Sequence, residues 1–137
     1  MILKYNDTHP NTKANYEVVL LHGFLESTSM WKDFIKATAD RNIRCINIHM
    51  PNHLPEEKEP YLNTLPQQAE ALYNTLLKTE VSKPIFIGHS LGGYLALAFV
   101  EKFPEFASGI ALINSTCLPD SNERKIQRTR AINIVGK

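Results

Sequence analysis

The feature that most constrains this chain is the run Gly-His-Ser-Leu-Gly-Gly at positions 88–93, which lies between two apolar segments. Residues 84–87 are mostly apolar and short, which predicts a buried parallel strand. Residues 94–100 are apolar throughout and are followed by Pro104, which predicts a buried helix stopped by proline. A strand that passes directly into a helix must turn sharply at Ser90, and the flanking glycines leave room for that turn.

The rest of the chain alternates apolar segments with helical patterns, which favours an α/β fold with a mostly parallel sheet and helices on both faces. Strands are predicted over residues 2–5, 17–21, 43–48, 84–87 and 108–114. Ser29 is predicted to cap a helix that runs to about Asp40. Thr64 is predicted to cap the next helix, with Gln67 closing a capping box. The apolar stripe of that helix is Leu65, Ala69, Leu72, Tyr73, Leu76 and Leu77.

The composition excludes several classes of protein. A length of 137 residues allows one domain at most, and 43% hydrophobic with 21% charged residues is typical of a globular chain. A net charge of +1 without a basic stripe argues against nucleic acid as a partner. No stretch is long enough to span a membrane, and residues 1–7 lack the apolar core of a signal peptide, so a cytoplasmic location is expected. Cys45 and Cys117 have no motif spacing, which indicates neither a metal site nor a disulfide framework.

Residues 121–137 carry the one local charge bias. The basic residues there are Arg124, Lys125, Arg128, Arg130 and Lys137, and Glu123 is the only acid among them. The segment has helical character, with Ile126, Ala131 and Ile134 on one side. The basic residues are interpreted as a solvated helix face.

Two motifs, each at the end of a predicted strand, identify a family resemblance. With His22-Gly23-Phe24 after one strand and residues 88–93 after another, the chain resembles the α/β-hydrolase superfamily. The resemblance extends over essentially the whole chain but corresponds only to the N-terminal half of a typical member. It implies that residues 1–120 are the N-terminal part of the hydrolase core and that residues 121–137 begin a cap or lid helix.

The resemblance also implies a catalytic site. Ser90 is implied as the nucleophile, and the backbone N–H groups of Phe24 and Leu91 as the oxyanion hole. His22 is expected to order the oxyanion loop, and the sharp turn is expected to point His89 away from Ser90. The supporting motif residues are His22, Gly23, Gly88, His89, Gly92 and Gly93. No metal and no cofactor are expected.

The chain departs from the family pattern in the loop after the third strand. Relatives often carry Asp-x-Pro-Gly-His-Gly there, whereas positions 49–54 read His-Met-Pro-Asn-His-Leu. The aspartate and both glycines are missing, and His49 and His53 are left near the C-terminal rim of the sheet. A contact of either histidine with substrate stays open, whereas a metal site would need further ligands.

A second departure concerns the catalytic partners of Ser90. The family order is Ser, then Asp or Glu, then His, but no histidine follows His89 in this chain. The acids after Ser90 are Glu101, Glu105, Asp120 and Glu123. Glu101 and Glu105 are expected at the far end of the helix, away from the serine. Asp120 follows the last predicted strand, where some family members place the acid.

These observations favour a serine hydrolase that acts through an acyl-enzyme at Ser90 on an ester, thioester or amide of a small molecule. The catalytic acid and histidine are missing, so the chain alone is expected to be inactive. The alternatives are a lyase or cofactor-free oxygenase on the same fold, and a non-catalytic truncated fragment or assembly module. Strand 110–113 is expected to be an apolar sheet edge that pairs with a missing C-terminal half or with a second copy.

Overall fold

The computed structural model describes residues 1–9, 13–53 and 61–135. Its strands are β1 (Tyr5–Asp7), β2 (Tyr16–Leu21), β3 (Ile43–Ile48), β4 (Ile85–His89) and β5 (Gly109–Ile113). They form one sheet in the order β1-β3-β2-β4-β5, in which β1 is antiparallel to β3 and every other pair is parallel. The strand that leads into Ser90 therefore lies between β2 and β5, which brings the C-terminal ends of these three strands together.

The α-helices are α1 (Lys32–Thr38), α2 (Leu65–Thr79), α3 (Leu91–Lys102) and α4 (Asn122–Val135). One face of the sheet carries Val18, Leu20 and Cys45, which pack with Trp31 and with Phe34 of α1. The other face packs on α2 and α3, and its buried residues include Val19, Leu21, Ile46, Phe86, Leu72, Leu76, Leu95 and Phe99. The predicted α/β architecture, with a mostly parallel sheet and helices on both faces, is confirmed. None of the helices in the described part of the chain is both long and apolar enough to cross a bilayer.

Three local predictions need correction. The first strand begins at Tyr5, not at residue 2, because the N–H of Leu3 donates to the Thr75 hydroxyl and not to a neighbouring strand. Ser27, not Ser29, is the N-terminal cap: its hydroxyl accepts from the Ser29 N–H and begins a 3₁₀ turn that leads into α1. Helix α1 is correspondingly shorter than predicted.

Helix α2 follows its sequence signals closely. Thr64 and Gln67 form the reciprocal capping box that was predicted, with Pro66 in the first turn. Of the predicted apolar stripe, Ala69, Leu72 and Leu76 are fully buried. Leu77 was wrongly included, since it is 52% exposed.

Helix α4 forms where helical character was predicted, but its apolar side is not packed. Ile126 is 54% exposed and Ile134 is 75% exposed. The Ala131 side chain lies outside the described part of the structure. The described side chains of α4 are all exposed, so this helix contributes little to the core.

The two edges of the sheet are built differently. On the β1 edge, buried Arg44 contacts Asp7 at 2.7 Å, Glu17 at 3.2 Å and the carbonyl oxygen of Thr79 at 2.6 Å. The opposite edge strand, β5, is paired within the described residues only with β4, and Ala111 and Ile113 are exposed on it. An edge of that kind leaves backbone groups open to pairing with a further strand.

Candidate active site

Ser90 occupies the turn between β4 and α3 in a backbone conformation that is rare outside glycine. Its φ is 49° and its ψ is −113°. Such conformations cost roughly 1–3 kcal/mol and persist only where the surroundings enforce them. Here the Ser90 N–H donates to the Ile113 carbonyl oxygen at 3.0 Å, and the Ser90 carbonyl oxygen accepts from the Gly93 N–H at 3.0 Å and the Ser115 hydroxyl at 2.9 Å.

Close backbone packing explains why glycines flank the serine. A Cβ on Gly88 would lie 2.5 Å from backbone atoms of Gly92 and Gly93, and a Cβ on Gly92 would lie 2.3 Å from the Leu21 carbonyl oxygen. These distances are far inside van der Waals contact. Helix α3 can therefore start directly against the end of β2 only if these positions lack side chains.

The structure brings together three residues that the sequence assigned to one site. Phe24, Ser90 and Leu91 line one cavity of about 290 Å³, together with Tyr94 and Arg128. As the first residue of α3, Leu91 has an N–H without a partner in the helix. Neither the Leu91 N–H nor the Phe24 N–H donates a hydrogen bond to any other residue that the structure describes. Both donors are therefore available beside the serine.

His22 is buried and bonded to backbone at both ring nitrogens. The Met50 N–H donates to its Nε2 at 3.0 Å, so its Nδ1 carries the proton and donates to the Gly23 carbonyl oxygen at 2.9 Å. Burial lowers the pKa of His22 below its ordinary value of 6.5, which favours this neutral form. The ring ties the loop after β2 to the segment after β3 and has no free nitrogen for proton transfer.

Glu26 is a site residue that sequence reasoning missed. Its Oε2 accepts from the Gly23 N–H at 2.6 Å and lies 2.9 Å from His89 Nδ1. Burial alone would raise the pKa of Glu26, but the bonds from Gly23 and His89 outweigh it and hold that pKa below its usual value. The only sequence signal was an acid three residues after Gly23, which the motif-based interpretation did not use.

The Glu26 contacts decide which groups remain open to a ligand. Because Glu26 takes the Gly23 N–H, the next donor along the loop is that of Phe24. The His89 ring is directed at Glu26 and, through Nε2, at the Asn114 side-chain amide 3.4 Å away. His89 thus joins the loop after β2 to the residue that follows β5.

The two rim histidines lie in different places. The His53 ring packs edge-on against His22 and Phe24, with centroid distances of 5.3 Å and 5.9 Å. Its Nδ1 lies 2.8 Å from the Pro51 carbonyl oxygen, whereas its Nε2 is buried without a hydrogen-bond partner in the described structure. The His49 ring is 3.4 Å from the Asn6 amide, at the β1 edge. Leu54, the last residue of the altered loop, lies outside the described residues.

In the described part of the chain, no carboxylate or imidazole is hydrogen-bonded to the Ser90 hydroxyl. Asp120 is bonded to Arg128, with Oδ2 2.5 Å from Nε, and Glu105 is exposed and 3.9 Å from Lys83. All five histidines of the chain are at position 89 or earlier; both ring nitrogens of His22 and of His89 have partners, whereas His53 Nε2 has none in the described structure. Among residues 1–9, 13–53 and 61–135, no three His, Cys, Asp or Glu side chains are grouped so that they could hold a metal ion.

Comparisons with known proteins match this geometry. A family model described as the alpha/beta hydrolase fold matches residues 16–135. The esterase YbfF of Escherichia coli is 34% identical over 134 residues, which are 95% of this chain and 50% of the esterase. The bifunctional epoxide hydrolase 2 of Sus scrofa is 31% identical over 108 residues, which are 76% of this chain and 19% of that protein.

Solved structures show the same relation. A thermophilic esterase from Thermogutta terrifontis superposes with a TM-score of 0.75 at 30% identity, over 97% of this chain and 47% of the esterase. The Mycobacterium tuberculosis protein Rv0554 superposes with a TM-score of 0.83 at 17% identity, over 98% of this chain and 47% of that one, which is a likeness of fold. The chain spans half or less of the length of these curated relatives and structures. With a family model that matches most of its residues, the chain belongs to the alpha/beta hydrolase fold family, whose relatives here include an esterase and an epoxide hydrolase.

Proposed function

We propose that this chain carries the nucleophile half of a serine hydrolase site, which acts on an ester, thioester or amide of a small molecule. The observation that carries the proposal is the strained conformation of Ser90 in the wall of a cavity shared with Phe24 and Leu91. Strain of this kind is kept where a reacting group must be held exposed. The esterase among the relatives supports the same reaction class.

In the proposed reaction the Ser90 oxygen attacks the carbonyl carbon of the substrate while its proton passes to a base. The carbonyl oxygen becomes an oxyanion that accepts hydrogen bonds from the Phe24 and Leu91 N–H groups. The bond to the leaving group then breaks, the leaving group takes up the proton, and an acyl-enzyme remains. Water, deprotonated by the same base, releases the acyl group as an acid and restores the serine.

The base and its acid are proposed to come from outside these 137 residues. His22 and His89 are held by other contacts, and no histidine follows Ser90. We propose that a C-terminal half adds its strands at the exposed β5 edge, over residues 110–113, and supplies both groups. A second copy of the chain at that edge is the alternative occupant. Residues 121–137 as the start of a cap, and a cytoplasmic location, stay predictions.

The test uses the chain as it exists. Intact mass is measured before and after treatment with a fluorophosphonate, with and without imidazole, which can replace a missing histidine as the base. The expected result is one adduct that grows faster with imidazole and is absent from Ser90→Ala. Ser82→Ala, which removes an exposed serine at the opposite end of β4, is expected to label like the wild type.

The same spectra separate the alternatives. An adduct without imidazole, together with a second peptide in the spectrum, would show that the base arrives on another chain. A single peptide of the calculated mass that forms no Ser90 adduct at any imidazole concentration would contradict the proposal and favour a non-catalytic fragment.

A further inference from the structure

Helix α4 places an arginine in the wall of the Ser90 cavity. Arg128 lines that cavity together with Tyr94 and the motif residues Phe24, Ser90 and Leu91. Tyr94 also lines a second cavity of about 310 Å³, together with Asn114 and Arg124. The two cavities therefore share Tyr94, and each has one arginine of α4 in its wall.

The Arg128 side chain is held in one orientation by Asp120. Its Nε is 2.5 Å and its Nη2 is 3.4 Å from the two carboxylate oxygens. A guanidinium group has five N–H donors in a planar fork, and this ion pair uses two of them along one edge. The ion pair with Asp120, and to a lesser extent a hydrogen bond to the Tyr94 phenol, raise the pKa of Arg128. Because the guanidinium group has five N–H donors, these contacts leave some of its donors unused in a side chain that lines the cavity.

Arg124 and Arg128 are four residues apart, so they lie on the same side of the helix. Lys125 and Arg130, by contrast, line neither of the two cavities. The basic residues of α4, interpreted from sequence as one solvated face, thus fall into two groups. Arg128 lines the Ser90 cavity and Arg124 lines the cavity that shares Tyr94 with it, whereas Lys125 and Arg130 line neither.

We propose that the site takes substrates that carry a carboxylate, which Arg128 binds through the guanidinium N–H groups that Asp120 and Tyr94 leave unused, while Arg124 adds positive charge. A carboxylate accepts charge-assisted hydrogen bonds from such donors, and the planar guanidinium group directs them more specifically than the flexible ammonium group of a lysine would. Carboxylate binding at Arg128 does not depend on the proposed function. Only the expectation that the bound molecule also carries an ester rests on it. The carboxylate could lie on the acyl side or on the leaving-group side of the scissile bond.

Binding is measured first, in a Ser90→Ala background that excludes turnover. Three probes of similar size are titrated by NMR: monomethyl glutarate with an acyl-side carboxylate, 3-acetoxypropionate with a leaving-side carboxylate, and neutral methyl pentanoate. At least one charged probe is expected to bind about tenfold or more tightly than the neutral one, which is about 1.4 kcal/mol. Which charged probe binds better assigns the side.

Matched variants then locate the effect. Arg128→Gln is expected to abolish the preference for the charged probe, and Arg128→Lys is expected to restore part of it. Arg130→Gln removes the same charge from the same helix and is expected to change nothing. The preference is also expected to weaken as salt is added, because this arginine is half-exposed.

The outcomes separate this proposal from the hydrolase itself. Equal binding of charged and neutral probes, no detectable binding of any probe, or equal losses in Arg128→Gln and Arg130→Gln would overturn the carboxylate site. If the preference for the charged probe depends on Arg128 but Ser90 is never labelled by the fluorophosphonate, the carboxylate site is supported and the hydrolase proposal is contradicted.

Discussion

The turn at Ser90 and the wall formed by α4 border the same cavity but are held in place by different forces. Around the turn, Gly92 lies against the backbone of β2, His22 is 1% exposed, and the serine conformation is fixed by backbone hydrogen bonds. On α4 the described side chains are all exposed, and the Asp120 carboxylate orients Arg128. The turn is specified by close packing, whereas the wall is specified by an ion pair.

This difference in packing predicts which substitutions affect folding and which affect mainly ligand binding. A substitution at the turn shifts backbone against backbone, so its cost falls on folding as well as on any chemistry. A substitution on the exposed wall costs folding little and changes mainly what the cavity can bind. Substitutions at the turn are therefore expected to affect stability and reactivity together, whereas substitutions on α4 are expected to affect mainly which ligands the cavity binds.

The largest effect is expected from Gly92→Ala. Helix propensity alone predicts a gain of about 1 kcal/mol, but the new Cβ would lie 2.3 Å from the Leu21 carbonyl oxygen. Overpacking against backbone is expected to reverse the sign and lower the free energy of unfolding by about 3 kcal/mol. Urea unfolding measures the change. Gly109→Ala is the control, because its nearest neighbours would be 4.0 Å away; equal effects of the two substitutions would show that close packing at the turn is not decisive.

The next effect is expected from His22→Leu, which leaves the buried Met50 N–H and the Gly23 carbonyl oxygen without their partner. The free energy of unfolding is expected to fall by about 2 kcal/mol at neutral pH. His9→Leu, at an exposed histidine, is the matched control.

The difference in the free energy of unfolding between the wild type and His22→Leu is expected to depend on pH, with a defined sign. The folded pKa of His22 lies below the ordinary 6.5, so the unfolded chain takes up a proton first as the pH falls. The stability that His22 contributes is present above about pH 6.5 and is lost as the pH drops toward the folded pKa. The difference between wild type and His22→Leu should therefore shrink from pH 7.5 to pH 5; a constant difference would argue against a buried neutral ring.

A smaller effect is expected from Glu26→Ala. Loss of its bonds to the Gly23 N–H and His89 should loosen the loop that positions the Phe24 N–H. Direct loss of an oxyanion donor costs roughly a hundredfold to a thousandfold, so misplacing one is expected to cost about tenfold in the rate of Ser90 labelling with imidazole. Glu26→Gln keeps an acceptor and should recover part of the rate. Glu101→Ala, an exposed acid on α3, serves as the control, and an equal loss there would count against a positioning role.

The smallest effect is expected on α4. Ile126→Ser replaces an exposed apolar side chain and should change the free energy of unfolding by less than about 0.5 kcal/mol. Chemical denaturation of the chain measures it. A loss above about 1 kcal/mol would show that α4 is packed on something in solution, and the contrast with the turn would then disappear.

Much of the fold was predictable because its signals are local. A few neighbouring residues specify each of three features: the capping box of Thr64 and Gln67, the length of β3, and the end of α3 before a proline. Ser90 and Leu91 belong to one short motif and line one cavity, whereas the catalytic roles assigned to them stay predictions. Ser27 replaced Ser29 as a cap because two serines two residues apart carry the same signal, and only the turn geometry selects one.

The sequence by itself determined the strand-to-helix turn, because glycine is the only residue that fits where two backbones approach so closely. It also determined the order of strands and helices, through their periodicity. Only the tertiary structure decided the roles of Glu26 and Arg128, because Glu26 bonds His89 and Arg128 shares a cavity with Phe24 and Ser90, and these segments are far apart in the chain. The link from Glu26 to His89 spans 63 positions and that from Ser90 to Ser115 spans 25, and no local pattern encodes a contact of that kind.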